Sequence, residues 1–518
     1  MLKLSHLWAA PEINPVNRKA RSIPIFNVWN TYGRVFFFSW FGFMVAFWAW
    51  YTFPPLITHA IKADLHLTPA QVANSNIVSL TATLLVRYLS GPLCDLFGPR
   101  VVFAGILIVG SIPLGLAPLV QSASGLYVSR FFIGILGGSF VPCQVWCTAF
   151  FDKNVVGSAN ALSGGWGNAG GGITYFIMPA VFNSFHARGY SIGQSWRLAF
   201  VVPLIIVLLT GVTMLLVCPD TPTGKWSERL LHTEKNLTIH GIPVTADHHI
   251  IQPVGDNTGN VSDSEKETER RLEMGGGDNS NCMVFFDHEA VIPRDEMVVI
   301  AEGETVQKPT LRGVAKVLAS PQTLFHIVTY CSSFGGELAI NSILSAYYVK
   351  NFPGISPTYA ANAAAVFGFL NFATRPLGGF ASDLVYRATG RSLWAKKALV
   401  VACGLLTGAL LIVIGRLDPR HPPTMLGLVS LMAIFLEAGN GANFGLVPHV
   451  HPHANGIVSG TTGASGNLGG IVFGVIFRFV DGGTNYAKAF WIIGLIHIGL
   501  NLSLCWISPV PKGQIGGR

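Results

Sequence analysis

Charge is what this sequence is short of. Only 12% of its 518 residues are Asp, Glu, Lys or Arg, where soluble domains carry about 25%. That deficit excludes an ordinary soluble domain, since half the chain is hydrophobic and the mean hydropathy is +0.47. A disulfide framework is missing as well. Of the eight cysteines, Cys94, Cys143, Cys147, Cys331, Cys403 and Cys505 lie in or beside apolar runs, as small hydrophobes do. The N-terminus lacks a short apolar core with a small-residue cleavage site, so no signal peptide is expected. No nucleophile–base cluster, metal-ligand spacing or nucleotide loop stands out, so neither an enzyme nor a metal or cofactor is expected. The net charge of +8 gathers into no basic stripe, which argues against nucleic acid.

What is present is apolar length. A membrane span needs about 20 apolar residues, and twelve such stretches fit, near 35–57, 74–94, 101–120, 126–150, 155–182, 197–217, 324–349, 359–385, 396–414, 425–447, 454–480 and 487–507. The expected fold is an all-α membrane protein, twelve transmembrane helices in two six-helix pseudo-symmetric halves, 35–217 and 320–508. Lys3, Arg18, Lys19, Arg21 and Arg34 precede the first span, which places the N-terminal segment 1–34 in the cytoplasm by the positive-inside rule. An even number of spans returns the central loop, 218–319, to the same side, with the tail 509–518. Residues 262–271 are a charged run followed by Gly275–Gly277, a solvated linker by composition. The sequons at Asn236 and Asn260 then face the wrong side for glycosylation. Arg387, Arg391, Lys396 and Lys397 again point inside, while Arg416 and Arg420 fall outside, so the charge bias is not clean.

Arg87 interrupts the second span. A guanidinium stays protonated in proteins. At mid-helix it costs about 2.5–3.5 kcal/mol on insertion scales, and such residues usually face a partner or a watery cavity. Arg87 also has an echo. Arg87, Gly91 and Asp95 recur as Arg375, Gly379 and Asp383, each 288 positions on. A second repeat, 299 positions apart, sets Gly164, Gly167, Asn168, Gly170 and Gly171 against Gly463, Gly466, Asn467, Gly469 and Gly470. Close helix packing accounts for the glycines. It does not account for an asparagine at the same place in each stretch, since an amide in hydrocarbon needs partners. Repeated six-span halves are the architecture of secondary transporters, with the substrate site at the midplane between them. Two arginines and two amides, one of each per half, suit a small planar oxyanion.

Residues 91–100, Gly-Pro-Leu-Cys-Asp-Leu-Phe-Gly-Pro-Arg, resemble the loop motif between spans 2 and 3 of the major facilitator superfamily. The Gly-Asn-Ala-Gly-Gly-Gly and Gly-Asn-Leu-Gly-Gly stretches resemble the paired nitrate signatures of its nitrate/nitrite porter family. Residues 131–138, 141–147, 448–452 and 221–229 are similar to the fungal high-affinity nitrate transporters of that family. The resemblance implies an anion clamp of Arg87 and Arg375, with Asn168 and Asn467 from the signatures and Gly164, Gly171 and Gly463 around them. It also implies aromatic residues above and below the anion, for which Phe47, Trp146 and Tyr330 are the candidates by position.

The expected function is therefore import of nitrate, and of nitrite, coupled to protons across the plasma membrane by alternating access. One proton only cancels the anion's charge; two make entry electrically downhill. Glu337 and Glu437 are the candidate proton carriers, with His326 and His497 behind them. Asp95, Arg100, Asp383 and Arg387 are expected to latch the cytoplasmic side. Partners beyond the anion, protons and the lipid bilayer are not implied, and the unit is expected to work as a monomer. Two other functions fit the same residues: a nitrate/nitrite exchanger, and a membrane nitrate receptor that signals through the central loop.

Overall fold

Helices begin where the chain supplies partners for their free amides. Asn30 accepts from the Tyr32 amide. Thr68 and Gln71 form a capping box ahead of Pro69, and Ser191 and Gln194 form another; both satisfy donors that the first turn leaves open. The computed structural model of this chain describes residues 4–239, 311–355, 357–483 and 485–512, with 289, 290, 292, 297 and 300 of the central segment. Among them are twelve long helices: α1 (Thr31–Trp50), α2 (Pro69–Phe97), α3 (Pro99–Leu116), α4 (Ala123–Phe150), α5 (Val156–Ala187), α6 (Ile192–Val217), α7 (Pro321–Asn351), α8 (Pro357–Ala388), α9 (Leu393–Leu417), α10 (Pro422–Leu446), α11 (Asn455–Phe479) and α12 (Tyr486–Leu504). The described residues contain isolated bridges but no strand.

Eight of the twelve are long and apolar enough to cross a membrane by length and composition alone. The other four are α5, α7, α8 and α11, each of 25–32 residues. Their lower hydropathy has a packing cause. Within each half α1 lies on α5 and α7 on α11; across the halves α2 meets α11 and α5 meets α8. Helices that press on other helices carry glycine, serine and asparagine where lipid-facing ones carry leucine. A Cβ on Gly170 would come within 2.0 Å of the Met44 carbonyl, and one on Gly469 within 2.0 Å of the Cys331 carbonyl. The repeated glycines thus let α5 and α11 seat against α1 and α7.

The helices overrun their expected ends. α2 starts at Pro69 and α5 runs on to Ala187, because polar turns outside the apolar run still complete the backbone ladder. Gly98, at φ +89°, makes the corner between α2 and α3, a conformation that glycine takes without penalty; the Trp226 side chain closes over it. Among its described residues the central segment carries two short α-helices, Arg229–Ile239 and Leu311–Leu318. The N-terminal segment is tied down rather than loose. The Ala20 amide donates to Phe150 at 2.9 Å and the Asp152 amide to Ala20 at 2.9 Å, and Asn14 donates to the Asp152 carboxylate at 2.8 Å. Asn236 of the first sequon donates to the Val16 carbonyl at 2.9 Å. Asn260 and the 262–271 run lie outside the described residues.

Candidate functional site

Arg87 on α2 and Arg375 on α8 are 0% and 1% exposed. Both stand over the same two aromatic rings. Their guanidinium carbons lie 5.0 and 5.4 Å from the Phe140 centroid and 5.5 and 5.6 Å from that of Phe334. Such contacts favour a desolvated cation, and they bring one arginine from each half to a single ring-walled place.

Each guanidinium is held on one side and unsatisfied on the other. Arg87 donates through Nε to the Gly137 carbonyl at 2.9 Å and through Nη1 to the Gly463 carbonyl at 2.8 Å. Gly137 belongs to a 3₁₀ stretch, Gly134–Ser139, within α4. Arg375 donates through Nη2 to the Tyr330 hydroxyl at 2.7 Å. Arg87 Nη2 and Arg375 Nη1 are buried with no partner among the described residues, and no carboxylate there lies within the 4.0 Å of an ion pair. Buried donors are almost always satisfied; these two are charged and have no protein partner among the described residues.

The two signature stretches serve the arginines crosswise. On α11, Gly463 receives Arg87, and Asn467 donates to the same carbonyl at 3.4 Å. On α5, a Cβ at Gly164 would stand 3.2 Å from Arg375 Nε. Asn168, one turn further on, has a buried Nδ2 with no partner. Each half's glycine–asparagine turn therefore faces the other half's arginine. Gly171 lies further along α5, where a Cβ would meet the Tyr51 ring.

Of the three aromatic candidates, Tyr330 joins the site: its ring stacks on Phe334 at 5.2 Å and its hydroxyl holds Arg375. Phe47 packs on Phe43 at 4.4 Å, a ring that in turn meets Phe140. Trp146 does not reach the arginines. It is wholly buried in the N-terminal half against Phe103 and Phe150, because its position on α4 turns it into that bundle. The rings that sequence reasoning missed are Phe140, Phe334 and Phe444. Phenylalanine on an apolar helix gives no contrast, even with a polar residue beside it, as Ser139, Ser333 and Asn443 stand beside these three.

The acids form a separate cluster in the C-terminal half. Glu337 accepts from Asn371 and, at 2.7 Å, from Asn440. Glu437 accepts from Thr374 at 2.5 Å, while its Oε1 is buried without a partner. Asn371 and Thr374 lie one turn before and immediately before Arg375, so the acids flank the arginine's own stretch of helix.

The repeated aspartates cap helices of the opposite half. Asp95, at the end of α2, accepts from the Gly456 and Ile457 amides at 3.0 and 3.1 Å, the first turn of α11. Asp383, on α8, accepts from the amide and hydroxyl of Ser158, each at 2.6 Å, the first turn of α5. A carboxylate there meets both the open amides and the positive end of the helix dipole. Asp383 also takes Lys396 at 2.9 Å, with both side chains buried. Gly91 and Gly379 make the approach possible, since a Cβ would lie 2.4 Å from the Gly456 carbonyl and 2.6 Å from that of Gly157. Arg387 reaches across to the Asn154 carbonyl at 2.9 Å. Arg100 lies elsewhere: it forms an ion pair with Asp220 at 2.5 Å and donates to the Cys218 carbonyl at 2.5 Å, tying α3 to the end of α6 inside its own half.

The family model described as Major Facilitator Superfamily matches residues 39–298. The chain is also 35% identical over 527 residues to Elsinochrome transporter 1 of Elsinoe fawcettii, covering 99% of this chain and 100% of that one. The chain belongs to the Major Facilitator Superfamily. High affinity nitrate transporter 2.5 of Arabidopsis thaliana is 29% identical, over 94% of this chain and 82% of its own length. Among solved structures, the superfamily's proton:xylose symporter XylE superposes with a TM-score of 0.59 at 14% identity, over 90% of this chain and 94% of that one. Membership makes this a multi-pass membrane transporter rather than an enzyme, and the helices described above are the superfamily's two halves.

Proposed function

We propose that this transporter imports nitrate, and nitrite, with protons, through an anion site between Arg87 and Arg375. The observation that carries the reading is the pair of buried, unpartnered guanidinium donors, Arg87 Nη2 and Arg375 Nη1, over shared phenylalanine rings. A small planar oxyanion offers acceptors to both at once, and charge-assisted bonds of that kind are the strong ones. The likeness to High affinity nitrate transporter 2.5 supports the same anion. Asn168 and Asn467 supply the amides, and Tyr330 holds Arg375 in place.

The Asp95 and Asp383 caps, with Arg387, close the end facing the cytoplasm, the side of the plasma membrane that both termini and the central loop occupy. Rocking of one half on the other breaks these caps and opens the site inward. An inside-negative potential opposes anion entry by about 2.3 kcal/mol per 100 mV, so more than one proton must accompany each anion; Glu337 and Glu437 carry them.

Labelled nitrate uptake into vesicles of the purified protein, with and without an imposed pH gradient and potential, tests the reading. Uptake that rises with an inward proton gradient is expected. Exchange that ignores the gradient points to a nitrate/nitrite exchanger, and binding without flux to a receptor. A second substrate reading rests on the 35% identity to Elsinochrome transporter 1; elsinochrome flux in the same vesicles, with no nitrate flux, establishes it instead.

A further inference from the structure

The C-terminal half carries a polar seam that the anion site does not use. On α7 the residues His326, Thr329, Ser333 and Glu337 recur at helical spacing along one face, and on α10 Glu437, Asn440 and Asn443 do the same. The two faces meet. His326 Nδ1 pairs with Asn443 at 2.7 Å, and Asn443 donates to the Thr329 hydroxyl at 2.9 Å. Ser333 donates to Asn440 at 2.6 Å, and Asn440 donates to Glu337 at 2.7 Å.

Beside this seam, where α7 and α10 meet α9 and α12, lies a void of about 10 Å³, lined by Thr329, Ser333, Thr407, His497 and Asn501 among others. That is about the room one water needs when polar partners surround it. His497 has both ring nitrogens buried without partners, and His326 Nε2 and Glu437 Oε1 are likewise orphaned. Four unsatisfied polar atoms along one seam are a demand for water or protons, since buried polar groups are otherwise paired.

We infer that protons cross the inner part of this transporter through the α7–α10 seam, from Glu337 and Glu437 beside Arg375 to His326 at the start of α7, separately from the anion's path between the halves. The inference rests on the proposed anion import. Glu337 takes up one proton as its carboxylate becomes a carboxyl and gives it up along the seam, past Ser333, to water in the void. His497 steadies that water, and His326 accepts the proton as an imidazolium and releases it inward. The amides of Asn440 and Asn443 orient the chain and do not titrate. Each end has its own charged surroundings. Arg375, Tyr51 and Tyr330 surround Glu337 together with Glu437. Lys397, His449 and His451 face His326, so a proton arriving there is repelled onward to the aqueous side.

The test separates proton movement from anion movement in one preparation. Vesicles with an internal pH dye report nitrate-evoked proton entry, and labelled nitrate against unlabelled internal nitrate reports exchange. The expected result for His326→Gln, and independently for Ser333→Ala, is exchange within about twofold of wild type with proton entry lowered at least about tenfold. Proton entry that stays proportional to exchange in both variants, whether both rates hold or both fall, overturns the route. Wild type that exchanges nitrate without moving protons also overturns it while leaving the anion site standing. Wild type that moves no nitrate at all overturns the anion reading first, and the route with it.

Discussion

At Arg87 the charge and the shape of the side chain are used separately. Two of its donors are spent on the Gly137 and Gly463 carbonyls, which aims the third. Lysine keeps the charge and loses that fork. Arg87→Lys is expected to lower kcat/KM for nitrate by roughly 10–100-fold, since a hydrogen bond to a charged group is worth about 1.5–3 kcal/mol; wild-type-like uptake in vesicles would refute the clamp. Tyr330→Phe removes one bond to Arg375 and leaves the ring stack, so a loss of roughly tenfold, mainly in KM, is expected. Legibility at this scale followed cost. A buried arginine is rare and expensive, so its repetition at one register was plain in the sequence, whereas the rings that receive it were not. Nor did spacing say that Trp146 turns into its own bundle, or that Arg100 ties α3 to α6.

The helices read from the sequence are the helices found, though four fall short of a membrane span's apolar composition because they touch protein where lipid would demand leucine. The order of contact was hidden altogether: nothing in a 299-residue register says that α5 faces the opposite half's arginine. The glycines offer the sharpest element-scale comparison. A Cβ at Gly379 would lie 2.2 Å from that of Ala161, while one at Gly105 on α3 meets nothing within 4 Å. Gly379→Ala is expected to abolish uptake by holding α8 off α5, and Gly105→Ala to leave uptake unchanged and raise thermal stability slightly, as helical alanine replaces glycine. The aspartate caps differ in the same way. Asp383→Asn strands the buried Lys396, a loss of about 3–5 kcal/mol, whereas Asp95→Asn weakens only a helix cap, about 0.5–2 kcal/mol. Thermal melts of the two purified variants should rank them in that order, and equal shifts would contradict the assignment.

For the whole molecule, an anion seated between the halves links them. Nitrate at a hundred times its Kd should stabilise the solubilised protein by about 2.7 kcal/mol against unfolding, seen as a raised Tm. The Arg87→Lys and Arg375→Lys variants, with affinity weakened about 10–100-fold, should keep only about 0.4–1.4 kcal/mol of that at the same concentration. A nitrate-dependent rise undiminished by either substitution would place the anion elsewhere. The two-half plan was legible because it is written twice. The inner seam was only partly so: Glu337, Glu437, His326 and His497 stood out as polar residues in apolar runs, but the alignment of the first three on α7 and α10, with His497 beside them on α12, needed the fold.

In each half one helix carries both the arginine and the capping aspartate, eight residues apart. At 1.5 Å per residue that is a rod of roughly 12 Å, with the binding group at one point and the fastening at the other. A single inserted residue would turn the aspartate about 100° from its helix start while leaving the arginine where it is. The interval is therefore a length standard, and it makes loosening the inner end and releasing the anion two ends of one lever's swing.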